Sequence, residues 1–87
     1  MGELFTSEQL RAARAILRLE QKALSDASKV SLATIKRLET SPGALSANRP
    51  TIAALQLALE LAGVEFIDEN GGGPGVRLRD RLPNKPK

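Results

Sequence analysis

The apolar residues between positions 21 and 40, QKALSDASKVSLATIKRLET, predict two short helices joined by a tight turn. Leu24 and Ala27 fall on one face of the first of these helices, and Val30 lies in the connection. Ile35 and Leu38 stand three residues apart on the following helix, so they face the same side. We expect these residues to pack together.

The second helix of this pair is expected to begin after Ser31, whose hydroxyl can accept a hydrogen bond from a backbone N–H just inside the helix. That start turns the apolar residues inward. It leaves these residues on the outer surface: Leu32, Ala33, Lys36 and Arg37. This outer surface is free for contact with a partner molecule.

Another helix is predicted upstream, from a cap at Thr6 or Ser7 to about Arg18, with Gln9 completing a capping box with Thr6. Apolar residues at helical spacing form its inner face, with Ile16 alongside: Leu10, Ala13 and Leu17. Arg14 shares this inner side. Residues 1–6 are expected to form a flexible N-terminus.

A fourth helix is predicted over residues 52–62, after a connecting loop at 41–49 in which Leu45 is anchored in the core. Pro50 rigidifies the approach, Thr51 serves as the cap, and Gly63 ends the helix in the left-handed conformation. One apolar stripe is formed by Ile52, Leu55, Leu59 and Ala62. Leu57 and Leu61 lie away from that stripe, and one small domain cannot cover both sides. The surplus predicts an interface with a second copy of the chain.

Residues 64–67 and 76–78 are short strand-like runs on either side of a glycine-rich stretch, which predicts a small hairpin with a long loop. Two strands alone are marginally stable in water, so we expect them to pair with strands of a second subunit or to pack against the fourth helix. The residues assigned to dimerisation are Leu57, Leu61, Val64, Phe66, Val76 and Leu78. Residues 80–87 have the composition of a disordered basic tail.

Composition narrows the possible functions. A chain of 87 residues is enough for one small domain, and with no Cys and no His it lacks thiolate and imidazole ligands, so we predict no metal site, no cofactor and no enzymatic activity. No apolar run is long enough to span a membrane, and the N-terminus does not resemble a signal peptide, so we expect a cytoplasmic protein. The net charge of +3 is unevenly spread, with basic residues concentrated in 22–49 and 76–87. Such patches suit a polyanion, although a solvated surface is the simpler alternative.

The segment at 21–40 resembles the helix-turn-helix of the Cro/cI type, the XRE family of transcriptional regulators. The spaced positions that carry the resemblance are Gln21, Ser25, Val30, Ile35, Leu38 and Glu39. The resemblance extends over roughly residues 10–63. One position departs from the family pattern, since Lys29 stands where the turn usually has glycine. A non-glycine residue with positive φ there is strained by about 1 kcal/mol.

This resemblance implies an all-α, lambda-repressor-like domain of four to five helices with a small C-terminal β-hairpin or strand element. Residues 7–63 would form the DNA-binding domain and residues 64–79 the β element, used for dimerisation. It also implies an ion pair between Arg14 and Glu39 that ties the first helix to the third. The alternative for Arg14 is that its side chain reaches solvent.

The DNA-contacting residues that follow from the resemblance and from side-chain chemistry are Gln21, Ser31, Leu32, Ala33, Thr34, Lys36, Arg37, Thr40, Asn48 and Arg49. Arg37 can read the O6 and N7 atoms of a guanine, while Lys36 reaches a phosphate or a base acceptor. Gln21 is implied to contact a phosphate, and Asn48 and Arg49 the DNA backbone. Alternatively, the basic residues are a solvated face, Leu32 packs on a neighbour and Gln21 is an ordinary exposed helix residue.

We therefore expect a sequence-specific DNA-binding transcriptional regulator, a repressor that binds an inverted-repeat operator as a homodimer. Its partner is double-stranded DNA, and its recognition helices lie in successive major grooves about 34 Å apart. Two alternatives remain open. One is an antitoxin that holds a toxin protein with its C-terminal part, and the other is a protein-interaction module that has lost DNA binding.

Overall fold

The computed structural model describes residues 5–69 and 71–80 as a mainly helical domain with a small antiparallel hairpin. The elements follow in the order α1 (Ser7–Leu17), α2 (Gln21–Ser28), α3 (Leu32–Thr40), α4 (Arg49–Ala62), β1 (Val64–Ile67) and β2 (Gly75–Leu78). This confirms the predicted helices and hairpin. The predicted disorder of residues 81–87, and the flexibility of residues 1–4, lie outside the described residues.

One hydrophobic core joins all four helices and the first strand. It consists of Phe5, Leu10, Ala13, Leu24, Ile35, Leu38, Leu45, Ile52, Leu55, Leu59 and Val64. Each helix contributes its apolar face to this core, and each face is buried by packing against the others. Leu45 is anchored in the core as predicted, so the loop before α4 is held at its centre.

The start of α1 is fixed by the predicted capping box. The Gln9 amide donates to Thr6 Oγ1 at 3.0 Å, and the Thr6 amide donates to Gln9 Oε1 at 3.0 Å. The helix ends at Leu17, because Arg18 adopts the left-handed conformation with a φ of 56°. Ile16, predicted to lie along the inner face, is instead 40% exposed.

The expectation that the N-terminus is flexible as far as residue 6 was wrong for Phe5 and Thr6. The Phe5 ring is buried and stacks on Phe66 with a centroid distance of 4.7 Å. Next to it, Thr6 forms a β-bridge with Ala44, and the Ser7 amide donates to the Gly43 carbonyl at 2.8 Å. These residues are ordered because an aromatic ring gains more from burial than a short segment loses in entropy.

The fourth helix begins earlier than predicted. Asn48, and not Thr51, is the cap, because its Oδ1 accepts a hydrogen bond from the Thr51 amide at 2.9 Å. Pro50 lies in the first turn, where the backbone N–H that proline lacks would have no partner within the helix. Gly63 closes the helix with a φ of 119°, as predicted. Ala62 is exposed, so it does not belong to the buried stripe.

The two strands pair with each other in one chain. The antiparallel register places Val64 opposite Leu78 and Ile67 opposite Gly75. The hairpin is fastened to α1 by Gln9, whose Nε2 donates to the Ile67 carbonyl at 3.3 Å and to the Gly75 carbonyl at 2.9 Å. At its other end, the Arg79 amide donates to the Gly63 carbonyl at 2.8 Å.

Two predicted roles of apolar residues are corrected. Val64, assigned to dimerisation, is fully buried in the chain's own core because it follows α4 directly and continues its inner side. Ala27, expected to pack with Leu24, is exposed, and Ser28 is the buried residue at the end of α2. Ser28 lies four residues after Leu24 and so falls closer to the same face of the helix.

Gln9 has a double role, because it completes the cap of α1 and also holds the hairpin. Gln9→Glu keeps the cap acceptor and loses both bonds to the hairpin carbonyls, so we expect it to lower the free energy of unfolding by about 1–3 kcal/mol. Urea titration followed by circular dichroism measures this loss. Gln56→Ala is the control, because the bond that Gln56 makes within the described residues is to Glu60 of its own helix, and its loss should cost less than about 0.5 kcal/mol. Equal losses in the two variants would contradict the assigned role of Gln9.

Candidate nucleic-acid interface

A tight connection of residues 29–31 joins α2 to α3. Lys29 ends α2 in the left-handed conformation with a φ of 68°, and its amide donates to the Ser25 carbonyl at 2.8 Å. The Ser25 hydroxyl donates to the Val30 carbonyl at 2.6 Å, while the Val30 amide donates to Ser28 Oγ at 3.1 Å. The turn is therefore held by its own serine side chains despite the strain at Lys29.

The cap of α3 is the one that the sequence predicts. Ser31 Oγ accepts the Thr34 amide at 3.1 Å and donates to Thr34 Oγ1 at 2.9 Å. Starting the helix here turns Ile35 and Leu38 into the core, where both are buried. The opposite side of α3 consequently points away from the domain.

This outward side of α3 is an exposed stripe of Ala33, Lys36, Arg37 and Thr40. Their spacing of three or four residues places them along one face of the helix. Leu32 and Thr34 flank the stripe and are half-buried. The expected outer surface is thus present, and Leu32 is partly withdrawn from it.

The predicted ion pair between α1 and α3 is confirmed. Arg14 Nε donates to Glu39 Oε2 at 2.7 Å, and Arg14 Nη2 donates to Glu39 Oε1 at 2.8 Å, which is the bidentate geometry. Arg14 Nη1 also donates to the Leu19 carbonyl at 3.0 Å, just before α2. The hydrogen bonds to Glu39 raise the pKa of the Arg14 guanidinium above its usual value. One arginine thereby joins α1, the link to α2 and the end of α3.

Gln21, implied to contact a phosphate, is already engaged by this ion pair. Its Nε2 donates to Glu39 Oε1 at 3.0 Å, which orients the side chain at the first turn of α2. It borders an open cleft of about 440 Å³ between the start of α2 and the start of α3. The cleft is lined by Arg14, Glu20, Gln21, Lys22, Leu32 and Lys36.

The remaining residues that are predicted to contact DNA differ in whether their side chains are already hydrogen-bonded within the protein. Arg37 Nη1 donates to the Ser46 carbonyl at 3.2 Å, so its guanidinium lies over the loop before α4. Thr40 Oγ1 donates back to the Arg37 carbonyl at 2.8 Å. Asn48 uses its Oδ1 as the cap of α4, which leaves only its Nδ2 for a ligand. Arg49 is exposed at the start of that helix.

Sequence reasoning missed the contact of Arg37 with Ser46 and the role of Arg79. Arg79 Nη1 donates to the Glu60 carbonyl at 2.7 Å and so satisfies the end of α4. On the hairpin, Arg77 Nε donates to Glu65 Oε1 at 2.8 Å, a bond that lowers the pKa of the exposed Glu65 carboxyl. The contact of Arg77 with Glu65 follows from the strand register, which places these two residues opposite each other. The contact of Arg79 depends on where the chain runs after β2, and the glycine-rich loop reveals neither.

Comparison with known proteins found no protein family whose model matches this chain and no curated protein with a matching sequence. The candidate interface therefore rests on the geometry of its own residues. Among residues 5–69 and 71–80, no group of acidic side chains is arranged to hold a metal ion. Within the same residues, no helix is both long enough and apolar enough to cross a membrane.

The Arg14–Glu39 pair should show strong coupling in a double-mutant cycle. Arg14→Met leaves the Glu39 carboxylate, 7% exposed, with Gln21 as its remaining donor among residues 5–69 and 71–80, so the free energy of unfolding should fall by about 2–4 kcal/mol. Glu39→Met should cost less, because the Arg14 side chain is 22% exposed and can turn to water. The double variant should be more stable than Arg14→Met alone, as measured by urea unfolding. Additive losses would show that the two side chains act independently.

The strain at Lys29 should be relieved by glycine. Lys29→Gly removes the cost of a left-handed lysine, offset in part by the greater freedom of the unfolded chain, and should stabilise the protein by up to about 0.5 kcal/mol. Lys36→Gly is the control, because it removes an exposed lysine from a right-handed position inside α3 and should destabilise by about 1 kcal/mol. Thermal unfolding of both variants measures the two shifts, which are expected to have opposite signs.

Proposed function

We propose that this protein is a sequence-specific DNA-binding transcriptional regulator of the Cro/cI, lambda-repressor-like kind, acting as a repressor on an inverted-repeat operator. The observation that carries this proposal is the exposed stripe on α3, presented by a short turn and a second helix fixed behind it. A helix with a narrow outer face of small and basic residues fits the width of the major groove. The small side chain of Ala33 allows the start of α3 to approach the base edges closely.

Electrostatics support the same orientation. Glu39 is the acidic residue of α3, and its carboxylate accepts hydrogen bonds from Arg14 and Gln21. Its charge is therefore compensated inside the domain, while Lys36 and Arg37 remain exposed on the outer side. The surface of α3 that faces a duplex is basic, as binding to a phosphate backbone requires.

Backbone anchoring is assigned to the cleft beside α3. The cleft is lined by two exposed lysines, Lys22 and Lys36, against one exposed carboxylate, that of Glu20, so a phosphate placed there meets a basic lining together with the first amides of α2. Gln21 is held at this position by Glu39, so its remaining amide hydrogen is available to the same phosphate. Arg49 and the Asn48 Nδ2, at the start of α4, offer a second contact with the DNA backbone.

Base reading is assigned to Arg37. Its guanidinium has to leave the Ser46 carbonyl to reach a guanine, and this costs little because both groups are exposed and water can replace the bond. In return, a bidentate contact with the guanine O6 and N7 atoms contributes about 1–3 kcal/mol of discrimination. When no DNA is bound, the Arg37 side chain is thus held by its hydrogen bond to the loop before α4. Repression follows from occupancy of a site that polymerase needs.

The test of this proposal is selection of bound duplexes from a random DNA pool at near-physiological salt, where nonspecific attraction is suppressed. We expect an inverted repeat with half-site centres about 34 Å apart. A pool that yields no consensus would contradict the regulator and would point to the protein-interaction module or the antitoxin, for which a copurifying protein partner is the evidence.

Variants of α3 should separate base reading from phosphate binding on the selected duplex. Arg37→Ala should weaken binding by about 1–3 kcal/mol and relax the preference at one base pair. Lys36→Ala should weaken binding to all sequences and reduce the slope of log K against log salt concentration by about 1. Fluorescence anisotropy over a range of salt concentrations measures both effects. Arg77→Ala, which removes an exposed arginine from the hairpin, is the control and should leave the base preference unchanged. An Arg37→Ala variant with unaltered preference would remove Arg37 from the reading face.

A further inference from the structure

A cleft separates the exposed side of α1 from the end of the hairpin at which β2 begins. Its volume is about 410 Å³, within the range of roughly 300–1,000 Å³ that is typical of small-molecule sites. We call it the α1–hairpin cleft, and its lining residues are Thr6, Glu8, Gln9, Ala12, Pro74 and Gly75. Ala12 and Pro74 give it apolar walls. Gln9 is buried and fastens the two sides together through its bond to the Gly75 carbonyl.

The charge at this cleft is negative. Among the described residues that line it, Glu8 alone is charged, and its Oε1 accepts a hydrogen bond from the Gly43 amide at 3.1 Å. Bonds from backbone amides, its own and that of Gly43, lower the pKa of the Glu8 carboxyl below its usual value, so this group is ionised at neutral pH. Asp68 and Glu69 are exposed beside the cleft, because they directly follow β1, whose last residue pairs with Gly75.

The start of α1 does not favour an anion in the cleft. The Ser7 amide donates to the Gly43 carbonyl at 2.8 Å, and the Gln9 amide donates to Thr6 Oγ1 at 3.0 Å. These amides of the first turn are therefore already bonded within the chain. The Glu8 carboxylate would also repel a second negative charge.

We propose that the α1–hairpin cleft binds a small organic cation, whose ammonium group pairs with Glu8 and whose apolar body lies between Ala12 and Pro74. Glu8 and Ala12 are four residues apart on α1, which corresponds to about 6 Å along the helix. That length suits one ring or a short aliphatic chain, whereas an extended peptide needs about 3.3 Å for every residue. The occupant is therefore a small molecule.

Glu8 Oε2 is the atom that receives the ammonium group. Arg11 Nη2 lies 3.7 Å from this oxygen, which is too far for a hydrogen bond. The Arg11 side chain is 48% exposed, so it can turn to water when an ammonium group approaches Glu8. Arg11 is thus a weak competitor for the site, and its removal should strengthen binding.

The α1–hairpin cleft is separate from the candidate nucleic-acid interface. Ala12 is two residues from Arg14, so about 200° separates them around the helix and they face nearly opposite sides of α1. A ligand in the cleft contacts α1 and the start of β2 and leaves α3 uncovered. The inference therefore goes beyond the proposed function, and its tests contain no DNA.

Titration of the ¹⁵N-labelled protein with 2-phenylethylamine, a cation with one ring, tests the site by NMR. We expect saturable shifts at the amides of Thr6, Glu8, Ala12 and Gly75, with a dissociation constant on the order of 1 mM. 3-Phenylpropionate, which has a similar body and a carboxylate, should bind several-fold more weakly. Equal binding of the two compounds, or shifts that do not saturate by about 50 mM phenylethylamine, would overturn the proposal.

Variants of α1 separate the apolar wall from the charge. Ala12→Leu fills the cleft and should abolish binding, whereas Ala15→Leu makes the same change at an exposed position outside the lining and should leave it unaltered. Glu8→Gln keeps an acceptor for the Gly43 amide and should weaken binding about threefold, and Arg11→Gln should strengthen it. All four positions are exposed, so the variants should fold, and circular dichroism confirms this. Unchanged affinity in Ala12→Leu or in Glu8→Gln would contradict the assigned contacts.

A protein partner is the other possible occupant of the cleft. A lysine peptide with blocked termini carries an ammonium group on a longer chain, and in the same titration it should bind several-fold more weakly than phenylethylamine. A peptide that bound more tightly would overturn the assignment to a small molecule and would transfer the cleft to a protein partner.

Discussion

The bidentate bond between Arg14 and Glu39 is the interaction on which the proposed interface depends. Three separate parts of the chain meet there: the last turn of α1, the link to α2 through the Leu19 carbonyl, and the end of α3. A planar guanidinium fixes direction as well as distance, so it sets how α3 stands against the rest of the domain. Hydrophobic packing alone would hold the helices together and leave their rotation less well determined. The orientation of the outer stripe on α3 therefore depends on Arg14, a residue of α1.

Most of the architecture could be predicted from the sequence, because its signals are local. Helical spacing of apolar residues, the cap at Ser31 and the glycine at the end of α4 each depend on a few neighbouring residues, and each is confirmed. The helix starts were less certain where two candidate caps adjoin. Asn48 and Thr51 both have capping side chains, and the choice between them depends on how the preceding loop reaches α4.

Other errors concern contacts between residues far apart in the chain. Phe5 has no helical or strand-like context, and its burial depends on Phe66, which the hairpin brings to it. Gln9 looks like a capping residue alone until the hairpin is in place. In the candidate interface, the stripe on α3 was predictable from helix periodicity, whereas the resting place of Arg37 on the Ser46 carbonyl was not, since it depends on the path of an irregular loop.

The hydrogen bonds from Gln9 to the hairpin affect where the fold can tolerate changes in sequence and length. By binding the carbonyls of Ile67 and Gly75, this side chain fastens both strands at the positions where the connecting segment begins and ends. Gln9 thus supports the hairpin from α1, in addition to the four residue pairs of the strand ladder. Residues 71–74 are exposed, so this segment is a permissive point for length variation in evolution or for insertion of a reporter peptide. A hairpin that is held from outside can carry new sequence at its tip while the helices behind it keep their positions.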